Sequence, residues 1–112
     1  MTKEYKTLGE FYPYYLTEHQ NSVSRTLHFI GTGLLLLVAA YAMFTQHWKL
    51  FWLVPVLGYG FAWVGHFFFE KNKPATFKYP FFSLASDFIM FKDILTGQIG
   101  AKMEAAKQQL GQ

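Results

Sequence analysis

Between Leu27 and Trp48 the sequence carries no Lys, Arg, Asp or Glu, and after Lys49 a second uncharged run extends from Leu50 to Phe69. Each run approaches the roughly 20 residues that a helix needs to cross a hydrocarbon core about 30 Å thick. The connection around Gln46 to Lys49 is short enough for a helical hairpin. A chain of 112 residues offers little protein to wrap two helices that are apolar all round, so burial of both in a soluble core is disfavoured. The runs predict two transmembrane helices, over about residues 28–46 and 50–69. A signal peptide does not fit: a polar, aromatic lead precedes the first run, and a second run follows it in place of a cleavage site.

The rest of the chain is read around that hairpin. With 52% hydrophobic, 21% aromatic and 15% charged residues, neither a disordered nor a multidomain protein is expected. The basic residues form no face interleaved with exposed aromatics, which argues against a nucleic-acid partner despite the net charge of +3. Cysteine is absent, so disulfides, thiolate metal sites and cysteine nucleophiles are excluded. Lys3, Lys6 and Arg25 precede the first run, Lys71, Lys73 and Lys78 follow the second, and Lys49 alone sits between them; the positive-inside rule then puts both termini in the cytoplasm. Thr7 to Glu18 is aromatic and weakly amphipathic and is expected at the membrane surface, interrupted by Pro13. Residues 81–99 read as a third apolar helix broken by Asp87, Lys92 and Asp93, and the tail from Ala101 reads as polar and helix-prone, frayed at Gly111. The fold class is therefore all-α: one membrane-embedded domain over residues 1–112, a transmembrane hairpin with an N-terminal interfacial helix and a C-terminal apolar or amphipathic one. The setting is a bacterial inner membrane, or the endoplasmic reticulum in a eukaryote.

Folding the hairpin about residue 47 or 48, at about 1.5 Å of rise per residue, places His28 beside His66 and Arg25 opposite Glu70, with Gly31 level with Gly65. Gly58, Ala62, His66 and Glu70 recur every fourth position, so a stripe of small residues that permits close packing runs into the polar group. Ionisable groups at the hydrocarbon boundary are expensive and point to function when a partner can be named; the alternative is an Arg25–Glu70 salt bridge with both imidazoles hydrogen-bonded in the rim. His19 joins the group if the chain breaks at Asn21 and Ser22, both good helix N-caps. His47 belongs to the far loop. Asp87 lies on an apolar face near Ser83, Met90 and Ile94, from which Lys92 and Asp93 point away; it is a metal ligand, an outer partner of ligand imidazoles, or paired with Lys71, Lys73 or a backbone amide.

Imidazoles with a carboxylate and no thiolate suit iron(II), zinc(II) or another borderline metal. Iron with open positions suits oxygen activation, and zinc suits hydrolysis through a bound water. Spacing alone leaves that choice open. Neither a G-x-S-x-G turn nor a haem attachment motif occurs.

His19, Asn21, Arg25-x-x-His28-x-x-Gly31, then Gly65-His66-x-x-x-Glu70-Lys71-Asn72-Lys73-Pro74-Ala75 and Ser83-Leu84-x-x-Asp87-Phe88, form a series that resembles the small membrane proteins related to the 2-hydroxy-fatty-acid dioxygenase of phytosphingosine metabolism. The resemblance spans roughly residues 7–97, and its most specific stretch runs from Gly65 to Ala75. It implies an Fe(2+)-dependent enzyme of fatty acid α-oxidation that removes one carbon from a 2-hydroxy fatty acid with O2 and releases CO2. It also implies that His19, His28 and His66 hold the iron. On that basis Arg25 or Lys73 is expected to steady the substrate carboxylate, and the acyl chain to lie beside Gly58 and Ala62 after lateral entry from membrane lipid. Glu70, Asn72 and Asp87 remain outer partners or alternative ligands. A zinc-dependent lipid hydrolase and a non-enzymatic membrane scaffold are the rival readings.

Overall fold

The computed structural model describes residues 4–73 and 77–111; Lys3, Pro74 and Ala75 lie outside the described residues. The described chain is helical throughout: α1 (Leu8–Thr17), α2 (Ser22–Thr45), a 3-10 turn (Trp48–Trp52), α3 (Leu53–Val64), a π-helical segment (Gly65–Glu70), α4 (Pro80–Leu95) and α5 (Ile99–Gln109).

Helices α2 and α3 form the hairpin, and its composition is inverted relative to a soluble protein. The buried residues of α2 are Ser24, His28, Gly31, Thr32 and Ala42, whereas Phe44 is 90% and Leu37 69% exposed. Small and polar side chains face the protein, and large apolar ones face outward, as they do where lipid is the outer solvent. The two apolar stretches, Ser22–Thr45 and Trp48–Glu70, are long enough to cross a bilayer, yet only 22% and 17% of their most apolar windows are buried. The first begins six residues before its expected span, because Asn21 caps α2, and the second agrees with its expected span within two residues at either end.

The register differs from the one constructed from sequence: Gly31 and Gly65 are not level. Helix α2 stops at Thr45, and Gln46 turns the chain in the left-handed region (φ 58°), so the return begins earlier than residue 47. The 3-10 turn then climbs about 2.0 Å per residue instead of about 1.5 Å. Gly31 therefore lies against the Leu57 carbonyl and Phe61, and Gly65 against Ser24.

At the basic end of the hairpin, α1, α4 and α5 close a small core of Phe11, Tyr15, Leu16, Met90, Met103 and Ala106. Pro13 does not interrupt α1. A helix-interior proline costs about 3 kcal/mol, and the burial of Phe11, Tyr15 and Leu16 on the same helix offsets it at about 1.5–3 kcal/mol for a large apolar side chain. The third helix ends at Leu95, not at residue 99, because Gly97 (φ 75°) closes a Schellman motif: Gln98 N–H donates to the Asp93 carbonyl at 2.8 Å and Gly97 N–H to that of Ile94 at 3.2 Å. The helix-prone tail forms α5, which ends before Gly111 and is docked, since Met103 and Ala106 are buried against α1.

Asp93 anchors this region. Its side chain is 0% exposed. Tyr12 donates to its Oδ2 at 2.6 Å, and the ammonium groups of Lys102 and Lys92 reach its Oδ1 at 2.9 and 3.1 Å. Burial alone would raise the Asp93 carboxyl, but these three donors outweigh it and hold the group below the usual carboxylate range. The polar residues of α4 and α5 thus pin α1, α4 and α5 together under the site.

Candidate metal centre

Three elements deliver three histidines to one point. His19 follows the end of α1, His28 lies on the second turn of α2, and His66 opens the π-helical segment. All three are buried, at 0%, 4% and 2% exposure. Their ring centres are 4.3 to 5.0 Å apart, and one nitrogen from each falls within 4.8 Å of the others. His19 Nε2 and His28 Nε2 are 3.0 Å apart.

Local chemistry fixes each ring. Asn21 is extended, and its Oδ1 accepts from the N–H groups of Val23 and Ser24, starting α2 afresh and letting His19 turn back. His19 Nδ1 lies 2.6 Å from the Tyr15 carbonyl, His28 Nδ1 2.9 Å from the Ser24 carbonyl, and His66 Nδ1 2.7 Å from Asn72 Oδ1. All three partners are acceptors, so each Nδ1 carries the proton and each Nε2 directs a lone pair inward. Burial, then the neighbouring rings of His28 and His66, hold the His19 imidazole well below the usual histidine range, and it is neutral.

The other candidates surround these rings. Asn72 also donates through Nδ2 to the Glu18 carbonyl at 3.2 Å, so it ties His66 to the end of α1. Arg25 Nη1 donates to the carbonyls of His19 and Gln20 at 2.8 and 2.9 Å. Glu70 Oε1 accepts from Asn21 N–H at 2.8 Å, placing negative charge at the N-terminus of α2. No Arg25–Glu70 ion pair forms among the described residues; both groups are occupied by main chain where the hairpin meets α1. Lys73 is exposed.

Among the described residues Asp87 pairs with neither lysine nor backbone: Tyr15 donates its hydroxyl to Asp87 Oδ1. Burial pushes the Asp87 carboxyl up to about 7, against the lowering effect of that hydrogen bond. Sequence reasoning missed Ser24, whose carbonyl orients His28, and Tyr15. Its ring stacks on His19 with centres 4.1 Å apart, and its carbonyl orients the same ring. The signal available was its position four residues before His19, one helical turn away.

A buried trio of neutral imidazoles with inward Nε2 atoms defines the class: a membrane-associated helical protein with a histidine centre suited to a divalent metal. Over residues 5–99 the chain matches the family described as Mpo1-like 2-hydroxy-palmitic acid dioxygenase. It belongs to that family. None of the curated proteins and none of the solved structures matches the chain.

Proposed function

We propose that this protein is an iron(II)-dependent dioxygenase that shortens a 2-hydroxy fatty acid by one carbon. The reaction R–CH(OH)–COOH + O2 → R–COOH + CO2 + H2O balances in atoms and electrons, with the substrate as sole reductant of O2. The observation that carries this reading is the set of inward Nε2 atoms in a chain of the Mpo1-like family.

The donor set fits a metal. With each Nδ1 proton engaged, His19 Nε2 and His28 Nε2 face each other 3.0 Å apart without a proton to share, an arrangement that a cation relieves. Metal–imidazole bonds of about 2.0–2.1 Å put adjacent ligand atoms about 3 Å apart, as observed for His19 and His28; the three donors span up to 4.8 Å, so the set would draw in around an ion. His19, His28 and His66 would hold iron(II), which supplies oxygen activation and open positions for substrate oxygens.

The chain's own residues prepare that site. Tyr15, Ser24 and Asn72 hold the three rings in one tautomer. Arg25 positions His19 through the carbonyl it grips. We assign Lys73, exposed beside Asn72, to the incoming carboxylate as a charge-assisted donor. Substrate would arrive from membrane lipid, and the basic residues at the site's end of the hairpin support an orientation with both termini cytoplasmic.

The test is anaerobic purification with metal analysis, followed by O2-dependent release of labelled CO2 from 1-labelled 2-hydroxypalmitate. Iron content and oxygen-dependent turnover are expected, with at least a hundredfold loss in His28→Ala and His66→Ala. Equal turnover in those variants, or zinc content with oxygen-independent lipid hydrolysis, overturns the proposal.

A further inference from the structure

Beside the histidine trio, α2, α3 and α4 enclose a cavity of about 170 Å³. Its polar lining is His28, Asp87, Thr32 and Tyr59, and Leu35, Val54 and Pro55 are among its apolar residues. From His28 to Leu35 the axis of α2 climbs about 10 Å at 1.5 Å per residue. A dry apolar cavity of about 150 Å³ accepts a benzene-sized guest, so this one takes a hydrocarbon segment on the order of six carbons. Helix α4 lies against α2 rather than along α3. The exposed side chains of Tyr59 and Phe88 flank the resulting slot, which gives a longer chain a lateral exit to lipid.

The polar lining is built to receive a hydroxyl. Tyr15 occupies Asp87 Oδ1, while Oδ2 receives no hydrogen bond from the described residues and the side chain lines the cavity beside His28. One wall is also a glycine: a Cβ at Gly58 would meet only the flexible end of Leu35, at 3.0 Å. Added bulk at that position therefore goes into the cavity.

Resting on the dioxygenase reading for the substrate's identity, we infer that this cavity holds the acyl carbons next to the reacting head. Asp87 accepts a hydrogen bond from the substrate's 2-hydroxyl, Tyr15 holds Asp87 in place, and Gly58 keeps the cavity open. Asp87 is thereby the group that separates a 2-hydroxy fatty acid from a plain one, since a hydrogen-bonding group left unpaired disfavours the analogue.

The test measures binding, not turnover. Protein in lipid nanodiscs, loaded with iron(II) without oxygen or with zinc(II), is titrated with 2-hydroxypalmitate and with palmitate. The wild type is expected to prefer the hydroxy acid about tenfold, or about 1.4 kcal/mol. Asp87→Leu should erase the preference while keeping palmitate affinity. Where that variant does not fold, Asp87→Asn, which retains an acceptor for Tyr15, should cut the preference to about threefold. Gly58→Leu should weaken both acids at least tenfold with helicity and metal content unchanged. Undiminished preference in the Asp87 variants, or undiminished affinity in Gly58→Leu, overturns the assignment. If the binding pattern holds and oxygen-dependent turnover is absent, the pocket stands and the dioxygenase reading fails; turnover with indifferent pocket variants gives the reverse.

Discussion

Gly31→Ala tests whether the spacing of the hairpin sets the geometry of the histidine centre. A Cβ built at Gly31 falls 2.7 Å from the Leu57 carbonyl oxygen and 3.0 Å from Phe61 Cβ. Ordinary Cβ contacts begin near 3.4 Å, and a helix carbonyl cannot rotate aside, so the two arms must separate by about 0.5 Å. His28 is one turn from Gly31, and its Nε2 sits 3.0 Å from that of His19. Metal–ligand distances tolerate only about ±0.2 Å, so a shift of this size spoils the ligand set. The expected outcome is at least a tenfold loss of metal affinity. Overpacking costs about 1–3 kcal/mol, less up to about 1 kcal/mol returned by the better helix propensity of alanine. Gly60→Ala is the control, because its Cβ meets nothing within 4 Å; it should bind metal as the wild type does, with an equal or higher Tm. Metal titration and thermal unfolding in one detergent compare the two. Wild-type affinity and Tm in Gly31→Ala would refute the reasoning.

Asn72→Ala removes the acceptor that orients His66 and should weaken metal binding about 10–100-fold with little change in helicity, read by competition with a chromophoric chelator. Asp93→Ala leaves the Tyr12 hydroxyl without its acceptor and should destabilise the α1–α5 junction by about 1–3 kcal/mol, measured by chemical unfolding. The pH dependence of that junction follows from the lowered Asp93 carboxyl. Its stabilisation is present above the ordinary value of 3.8 and is lost as pH falls through the still lower folded value. Acid unfolding below about pH 4 should therefore lose part of its steepness in Asp93→Asn, and an unchanged acid limb would contradict the buried pairing. Gly97→Ala meets no atom within 4 Å but must adopt φ 75°. It should cost about 1–2 kcal/mol, against no loss in Gly100→Ala by differential scanning calorimetry.

The hairpin was legible because charge is excluded from its two runs by the solvent that surrounds them, and such exclusion is written into composition. The grouping of His28 with His66 was expected from the hairpin, although its constructed register was off, and the capping chemistry of Asn21 anticipated the break that returns His19. Other features depended on partners distant in sequence. Asp93 reads as a surface charge on α4 until Tyr12, eighty-one positions earlier, and Lys102 are placed around it. Pro13 reads as a helix breaker until the burial of its neighbours is counted. The glycine register failed because a 3-10 turn and a left-handed glutamine alter the height gained per residue, and neither leaves a distinct mark in composition. Tyr15 was hidden among seven tyrosines, with only its helical distance from His19 to single it out.

The three imidazoles come from separate parts of the chain: the end of the first helix, the start of one hairpin arm and the close of the other. An ion gripped by all of them fastens both arms of the hairpin to the N-terminal helix, a non-covalent rivet in a polypeptide that has no cysteine to cross-link. A ligand bound only by the folded form adds about 2.7 kcal/mol at a hundred times its dissociation constant. Occupancy of the centre and docking of the first helix are consequently linked, and stripping the ion should loosen the first helix before it disturbs the hairpin.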